Sequence, residues 1–301
     1  MDRNDRLILF ACIPLYFAAV AKYGLKMIVL LVLSAAIGFL LEWGNEKLRK
    51  RETHIWGVKI WLLFPLIFPP AFPLWMSCVS LGFGILVTVI FFGGYGRHFA
   101  SPLAAGWAFA VLSFPADYGF GWAKPFPGLL GWSRYSASVL TIDHPLDYYT
   151  AQFEVSPLTI LMGRFPQTPG NSLPILVLVL GILLLLLRVI NLRGILSFGL
   201  PVVVLTLITH LMAPEVYRPV TALLLGNFAF VLFFIWGDER TLPRTQEGRI
   251  ITSLLAGLTA FIMMTFSSIR DPVLFAILFG NSFSAILDDT LLKRRYKGSR
   301  A

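Results

Sequence analysis

The sequence predicts an all-α membrane protein with about ten transmembrane helices in two inverted five-helix halves, some of the helices broken. Three observations lead there. Hydrophobic residues make up 57% of the chain and charged residues only 14%, whereas soluble globular domains carry about 25% charged residues. Runs such as 25–41 and 72–92 are almost free of charge, and a span needs roughly 20 apolar residues, fewer where the helix is broken. Five such runs precede one long hydrophilic excursion, 115–173, and five follow it. An odd number of spans per half forces the halves into opposite orientations, so a shared fold makes them inverted repeats.

The first span is predicted over 7–20. The sequence before it, Met-Asp-Arg-Asn-Asp-Arg, lacks the small-residue cleavage site of a signal peptide, so this span is expected to stay. The second covers 25–41. The third, 55–70, is short and proline-rich, and reads as a kinked or half-length helix. Pro65, Pro69, Pro70 and Pro73 remove backbone donors and free carbonyls, which then need partners in neighbouring helices or a ligand. Lys59, in the middle of this segment, must point inward or snorkel to the cytoplasmic side. The fourth span, 72–92, runs into Phe92-Gly-Gly-Tyr-Gly-Arg-His-Phe-Ala-Ser-Pro102. Gly93, Gly94 and Gly96 allow a sharp turn or the close approach of a ligand, and Pro102 opens the fifth span, 102–114.

Trp122, Trp132, Tyr135, Tyr148 and Tyr149 accompany Asp117, Asp143, Asp147 and Glu154 in the excursion. That aromatic density is too high for a disordered linker. The segment is expected to fold back over the extracytoplasmic mouth, or to set part of its aromatics at the membrane interface. The second set of spans is predicted at 174–190, 195–212, 219–237, 250–266 and 271–287. The chain thus divides into 1–114, an extracytoplasmic loop region 115–173, and 174–301 with a basic tail.

A net charge of +9 invites a nucleic-acid reading, but the distribution answers otherwise. Counted from an inside start, Arg3, Arg6, the Lys47–Arg51 cluster, Arg97, Arg188, Arg193, Arg240, Arg244, Arg249 and the Lys293–Arg300 tail all fall on the cytoplasmic side. This is the positive-inside pattern of a multi-pass inner-membrane protein with both termini cytoplasmic, touching the lipid bilayer and no nucleic acid. Cys12 and Cys78 lie in apolar spans without a C-x-x-C pair or nearby histidines, and read as small buried hydrophobes. No metal site is expected, since an iron–sulfur cluster needs about four ligands and this chain alone does not offer them.

Three segments belong together. The first is Gly57-Val-Lys-Ile-Trp-Leu-Leu-Phe-Pro-Leu-Ile-Phe-Pro-Pro-Ala-Phe-Pro-Leu-Trp75. The second is Phe92 to Phe109, followed by Ser113-Phe-Pro115. The third is Phe233-Phe-Ile-Trp-Gly-Asp-Glu-Arg-Thr-Leu-Pro-Arg-Thr-Gln-Glu-Gly-Arg249, with Asp271-Pro-Val-Leu-Phe-Ala-Ile-Leu-Phe-Gly-Asn281 and Asp288 beyond it. In order and spacing they resemble the RnfD and NqrB membrane subunits of the Rnf and sodium-pumping NADH:quinone reductase complexes.

The resemblance implies a ten-helix fold of two inverted halves, akin to urea transporters, within a multi-subunit redox complex. It also implies flavin and quinone sites near the glycine-rich segment, and FMN esterified to a threonine in a Ser-x-Ala-Thr-Pro-Leu-type motif on the external loop. Here that loop reads Leu140-Thr-Ile-Asp-His-Pro-Leu-Asp147, and His144 stands where the threonine is expected. A phosphoester needs a hydroxyl oxygen, which imidazole lacks, and Thr141 comes three residues early. His98 and Ser101 replace the two asparagines of the family's glycine-rich run, and Asp238-Glu239-Arg240-Thr241 stands for Asp-Pro-Val-Thr. A divergent member holding flavin (FMN or riboflavin) noncovalently, or quinone, is the expectation.

The cofactor-binding candidates are Gly93, Gly94, Gly96, His98, Ser101, Thr141, His144 and Asp147. The glycines either line a flavin or quinone pocket, their amides donating to ring carbonyls, or simply turn the chain and pack helices. His98 is a proton donor near neutrality, or one more cation anchoring a span. His144 holds a flavin ring or phosphate with Asp147 fixing its tautomer, or is an exposed loop histidine. His210, Asn227 and Asn281 are expected to face the interior, and Asp238 and Asp288 to cap or anchor helix ends. The chain has no NAD fingerprint, no haem-attachment pair and no complete cluster, so electrons would have to come from other membrane and soluble subunits. Two alternatives stand beside this reading: a channel or transporter for a small solute or ion, and a scaffold anchoring a soluble reductase.

Overall fold

Apolar runs become helix because backbone polar groups shielded from water must be satisfied within the chain. The computed structural model describes residues 3–50, 57–94, 99–139, 156–212, 223–224, 227–237, 241–267 and 271–298. Helix α1 is Arg3–Tyr23 and α2 is Lys26–Leu48. α3 (Val58–Leu63) tightens into a 3-10 turn at Phe64–Ile67, and Phe68 then turns extended ahead of Pro69 and Pro70. α4 (Leu74–Ile85) loosens into a π segment, Leu86–Ile90, and α5 is Pro102–Ser113. The short helices α6 (Pro115–Phe120) and α7 (Pro157–Leu161) lie in the excursion. α8 (Pro174–Leu186) and α9 (Leu192–Met212) follow. α10 (Phe228–Phe230) runs on as a second π segment, Val231–Trp236. α11 is Gln246–Phe266 and α12 is Pro272–Gly298.

Helices α1, α2, α9 and α11, and residues Pro272–Leu291 of α12, are each long and apolar enough to cross a membrane. Val58–Ile67, Leu74–Ile90, Pro102–Ser113 and Pro174–Leu186 are shorter apolar helices. The chain is an all-α membrane protein. Among the described residues the one extended pairing is an isolated antiparallel bridge between Ala123 and Val139.

α2 packs on α4 and α4 on α5; likewise α9 packs on α11 and α11 on α12. The second, fourth and fifth helices of each run of five are therefore stacked in the same order. Small residues make these contacts close. A Cβ on Gly106 would lie 2.6 Å from the Ser80 carbonyl oxygen and 2.8 Å from the Phe64 ring, and one on Gly257 would lie 2.3 Å from the Phe198 carbonyl oxygen.

The proline-broken third segment resolves its loose carbonyls with side chains from outside it. The Tyr16 hydroxyl donates to Leu62 O at 2.6 Å, Ser34 Oγ to Trp61 O at 3.0 Å and Lys26 Nζ to Phe72 O at 2.9 Å. Lys59 is buried and so points inward, the first of the two placements expected for it. Glu42 of α2 accepts the Gly57 N–H at 3.1 Å and so anchors the start of α3.

Part of the excursion folds back on the α1–α2 turn. Leu25 N–H donates to Arg134 O at 2.9 Å, Lys26 N–H to Tyr135 O at 2.8 Å and Phe126 N–H to Lys22 O at 2.8 Å. The first amides of α2, which have no partner within the helix, are satisfied in this way. Trp122 is fully buried beneath this cover.

Candidate functional site

The glycine-rich segment begins where α4 ends. Its π segment closes with Phe91 N–H donating to Leu86 O at 3.0 Å. Gly93 N–H then donates to Ile90 O at 3.2 Å and Gly94 N–H to Val89 O at 2.9 Å, the paired bonds of a Schellman stop. Both glycines have positive φ, 105° and 107°, a region that residues with a Cβ enter only with strain. Their amides are therefore spent on helix carbonyls. The expectation that they donate to a ring carbonyl is not met at Gly93 and Gly94, whose contribution is an open backbone surface without side chains.

The last turns of α2 brace this turn. Arg49 donates through Nε to Asn45 Oδ1 at 2.9 Å and through a terminal nitrogen to Ile90 O at 2.8 Å. Asn45 Nδ2 is the nearest side-chain atom to the place a Cβ on Gly94 would occupy, at 3.9 Å. One turn of helix away, Lys47 Nζ sits 4.8 Å from the centre of the Trp43 ring, a cation–π contact. Across the turn the rings of Phe92 and Phe99 lie 4.5 Å apart at 48°, and both are about half exposed. Ser101 is buried and N-caps α5, its Oγ accepting the Ala104 N–H at 3.5 Å. The structure thus brings together Gly93, Gly94, Ser101, Phe92, Phe99, Asn45 and Arg49. A planar, anionic molecule would find there a flat aromatic face, bare backbone and a guanidinium. Asn45 and Arg49 were missed in the sequence because they reach the turn from α2, about 45 residues upstream. Their place in the basic Lys47–Arg51 cluster was the available signal.

Gly96, His98, Thr141, His144 and Asp147 lie outside the described residues, as does Asp238. Asn227 and Asn281 are buried as expected. His210 differs. It stands in the last turn of α9 and is partly exposed, where an imidazole meets the negative end of the helix dipole. Asp288 is a cap. Its carboxylate accepts the Arg244 N–H at 2.8 Å and the Thr245 N–H at 3.3 Å, just ahead of α11. Cys12 is buried and Cys78 half-buried, and the described residues contain no cluster of three metal-ligating side chains.

The profile of the NQR2, RnfD, RnfE family matches residues 1–297. The chain belongs to this family. Among known relatives, it is 27% identical over 251 residues to a membrane component of the Na(+)-translocating NADH-quinone reductase of Haemophilus influenzae, covering 80% of this chain and 60% of that one. The corresponding protein of Klebsiella pneumoniae (strain 342) is 25% identical over 260 residues, 83% of this chain and 62% of that one. A component of the ion-translocating oxidoreductase complex of Buchnera aphidicola is 24% identical over 320 residues, 94% of this chain and 91% of that one. The chain therefore spans under two thirds of the length of the NADH-quinone reductase components, and nearly all of the Buchnera protein. Family membership agrees with the three motif segments, which lie within the matched region.

Proposed function

We propose that this NQR2/RnfD/RnfE-family chain is a membrane subunit of an electron-transport complex and holds a noncovalent flavin, or a quinone, against the glycine turn. The observation that carries the reading is the turn itself: a Schellman stop with two glycines, beside the half-exposed Phe92–Phe99 pair and Arg49. Aromatic rings offer a flavin or quinone ring a stacking face, and Arg49 suits the phosphate of FMN or the partial charge of a reduced ring. A flavin, when bound, supplies one- and two-electron chemistry that no side chain of this chain provides. The protein's own contribution is to bind and orient the ring and to limit its access to water. Electrons then come from other membrane and soluble subunits, in keeping with the complexes named for the relatives. The same reading sets the chain in the inner membrane with both termini cytoplasmic, and couples electron relay to ion movement.

His144 in place of the family threonine argues for noncovalent binding. The test is to purify the protein in mild detergent, precipitate it with acid and assay both fractions for flavin. Flavin in the supernatant is the expected result. Flavin in the pellet would mean a covalent bond and point to Thr141 or another hydroxyl, while neither flavin nor quinone in the preparation would remove the redox reading. A second reading, a channel or transporter, rests on the two interrupted helices, α3 and α10. Solute flux into liposomes without an electron donor would favour it.

A further inference from the structure

Residues 165–172, Phe-Pro-Gln-Thr-Pro-Gly-Asn-Ser, carry a dense group of polar side chains in an otherwise apolar interior. Gln167, Thr168, Asn171 and Ser172 are almost completely buried. Such groups are costly in a membrane protein's interior unless they are bonded, and here the bonds run to both five-helix runs. Gln167 N–H donates to the Tyr23 hydroxyl at the end of α1, at 2.9 Å. The Thr168 hydroxyl donates to Asn227 Oδ1, and Asn227 Nδ2 donates to Ile67 O at 3.4 Å. Asn171 Nδ2 donates to Leu224 O at 3.0 Å. The fit leaves no room at Gly170, where a Cβ would lie 2.8 Å from Leu66 O and 3.0 Å from the Phe230 ring.

Two interrupted helices meet at this segment. The 3-10 end of α3 stops at Ile67, and α10 starts after Asn227. A helix that stops inside the membrane leaves carbonyls and amides that draw in water unless something covers them. Residues 165–172 cover both ends at once.

We propose that residues 165–172 form a plug closing the seam between the two five-helix runs to water and small monovalent cations, with Thr168–Asn227–Ile67 as its clasp. The plug requires no redox cofactor and stands apart from the electron-transport reading. It predicts a tight protein. Liposomes carrying the purified wild type and loaded with a sodium-sensitive dye leak sodium no faster than empty ones. Asn227→Leu, which removes both arms of the clasp, raises the leak about tenfold or more, and the near-isosteric Thr168→Val raises it less. In a background with Cys12 and Cys78 replaced by alanine, Ser172→Cys reacts slowly with a membrane-impermeant maleimide and at least about tenfold faster once Asn227→Leu is added. Folding is judged by elution volume and thermal midpoint. Should Asn227→Leu not fold, Thr168→Val carries the same test. Leak through the wild type overturns the proposal, and so does a folded clasp variant as tight and as unreactive as the wild type.

Discussion

The Tyr118 hydroxyl donates to Asp271 Oδ2 at 2.7 Å, joining two residues 153 positions apart. Tyr118 also accepts the Trp107 indole N–H at 2.8 Å. Asp271 is buried and has positive φ, and it immediately precedes Pro272 at the start of α12. One phenol thereby ties α5 and α6 to the entry of the last helix. Tyr118→Phe keeps the ring packing against Phe72 and Trp107 but withdraws a bond from a buried carboxylate. The expected cost is about 1–3 kcal/mol, read as a lower thermal midpoint in detergent. An unchanged midpoint would show that the pair does not contribute to stability.

Gly106→Val tests the closeness of α4 and α5. Even the first added carbon would meet the Ser80 carbonyl at 2.6 Å, and a backbone cannot yield as a flexible side chain does. We expect a loss of about 1–3 kcal/mol or more, with poor recovery of monodisperse protein. Gly194, which has no neighbour within 4 Å of an added Cβ, is the control: Gly194→Ala should be tolerated.

Asn281→Leu should stabilise. Asn281 is 2% exposed and neither polar atom of its amide has a hydrogen-bond partner among the described residues, while Leu274 and Ile277 on the same helix are buried and apolar. Replacing an unsatisfied amide by a hydrocarbon of similar volume removes a desolvation cost of about 1–3 kcal/mol. A higher thermal midpoint is the expected outcome, and a lower one would reveal a polar partner for this side chain.

Gly93→Ala bears on the ligand. At φ of 105° the added methyl strains the turn, by roughly 1–2 kcal/mol. Strain at the turn displaces Phe92 relative to Phe99, so the protein should lose bound flavin or quinone about tenfold more readily while the far end of the bundle keeps its stability. Titration of stripped protein with FMN, riboflavin and a short-chain quinone reads the change directly, and identical affinity would move the ligand away from this turn.

Much of the helical plan was legible because it depends on local chemistry. Charge-free runs, prolines at helix starts and glycines at a stop report directly on their own segment, which is why the break at Phe64–Pro70 and the turn at Gly93–Gly94 could be placed. Partners across the fold were not legible. Nothing in Asn45 or Arg49 indicates that they meet the glycine turn, and nothing in Thr168 identifies Asn227 as its acceptor, because these contacts depend on helix packing rather than neighbouring sequence. His210 was misjudged for a related reason: a histidine in an apolar run faces inward only if the run continues past it, and α9 ends two residues later.

The bond from Asn227 to the Ile67 carbonyl, across 160 residues, also orders events during synthesis. When α3 enters the membrane, the group that will satisfy its final carbonyl is still untranslated, and so is the stretch that will fill the space beside Leu66. The early half of the protein must therefore wait in an unfinished state, its polar ends borrowed by water, lipid headgroups or the insertion machinery, until the eighth apolar run arrives. A chain arrested or cut before Asn227 should accordingly be a substrate for membrane quality-control proteolysis, and the two halves made from separate genes should accumulate only when both are produced together.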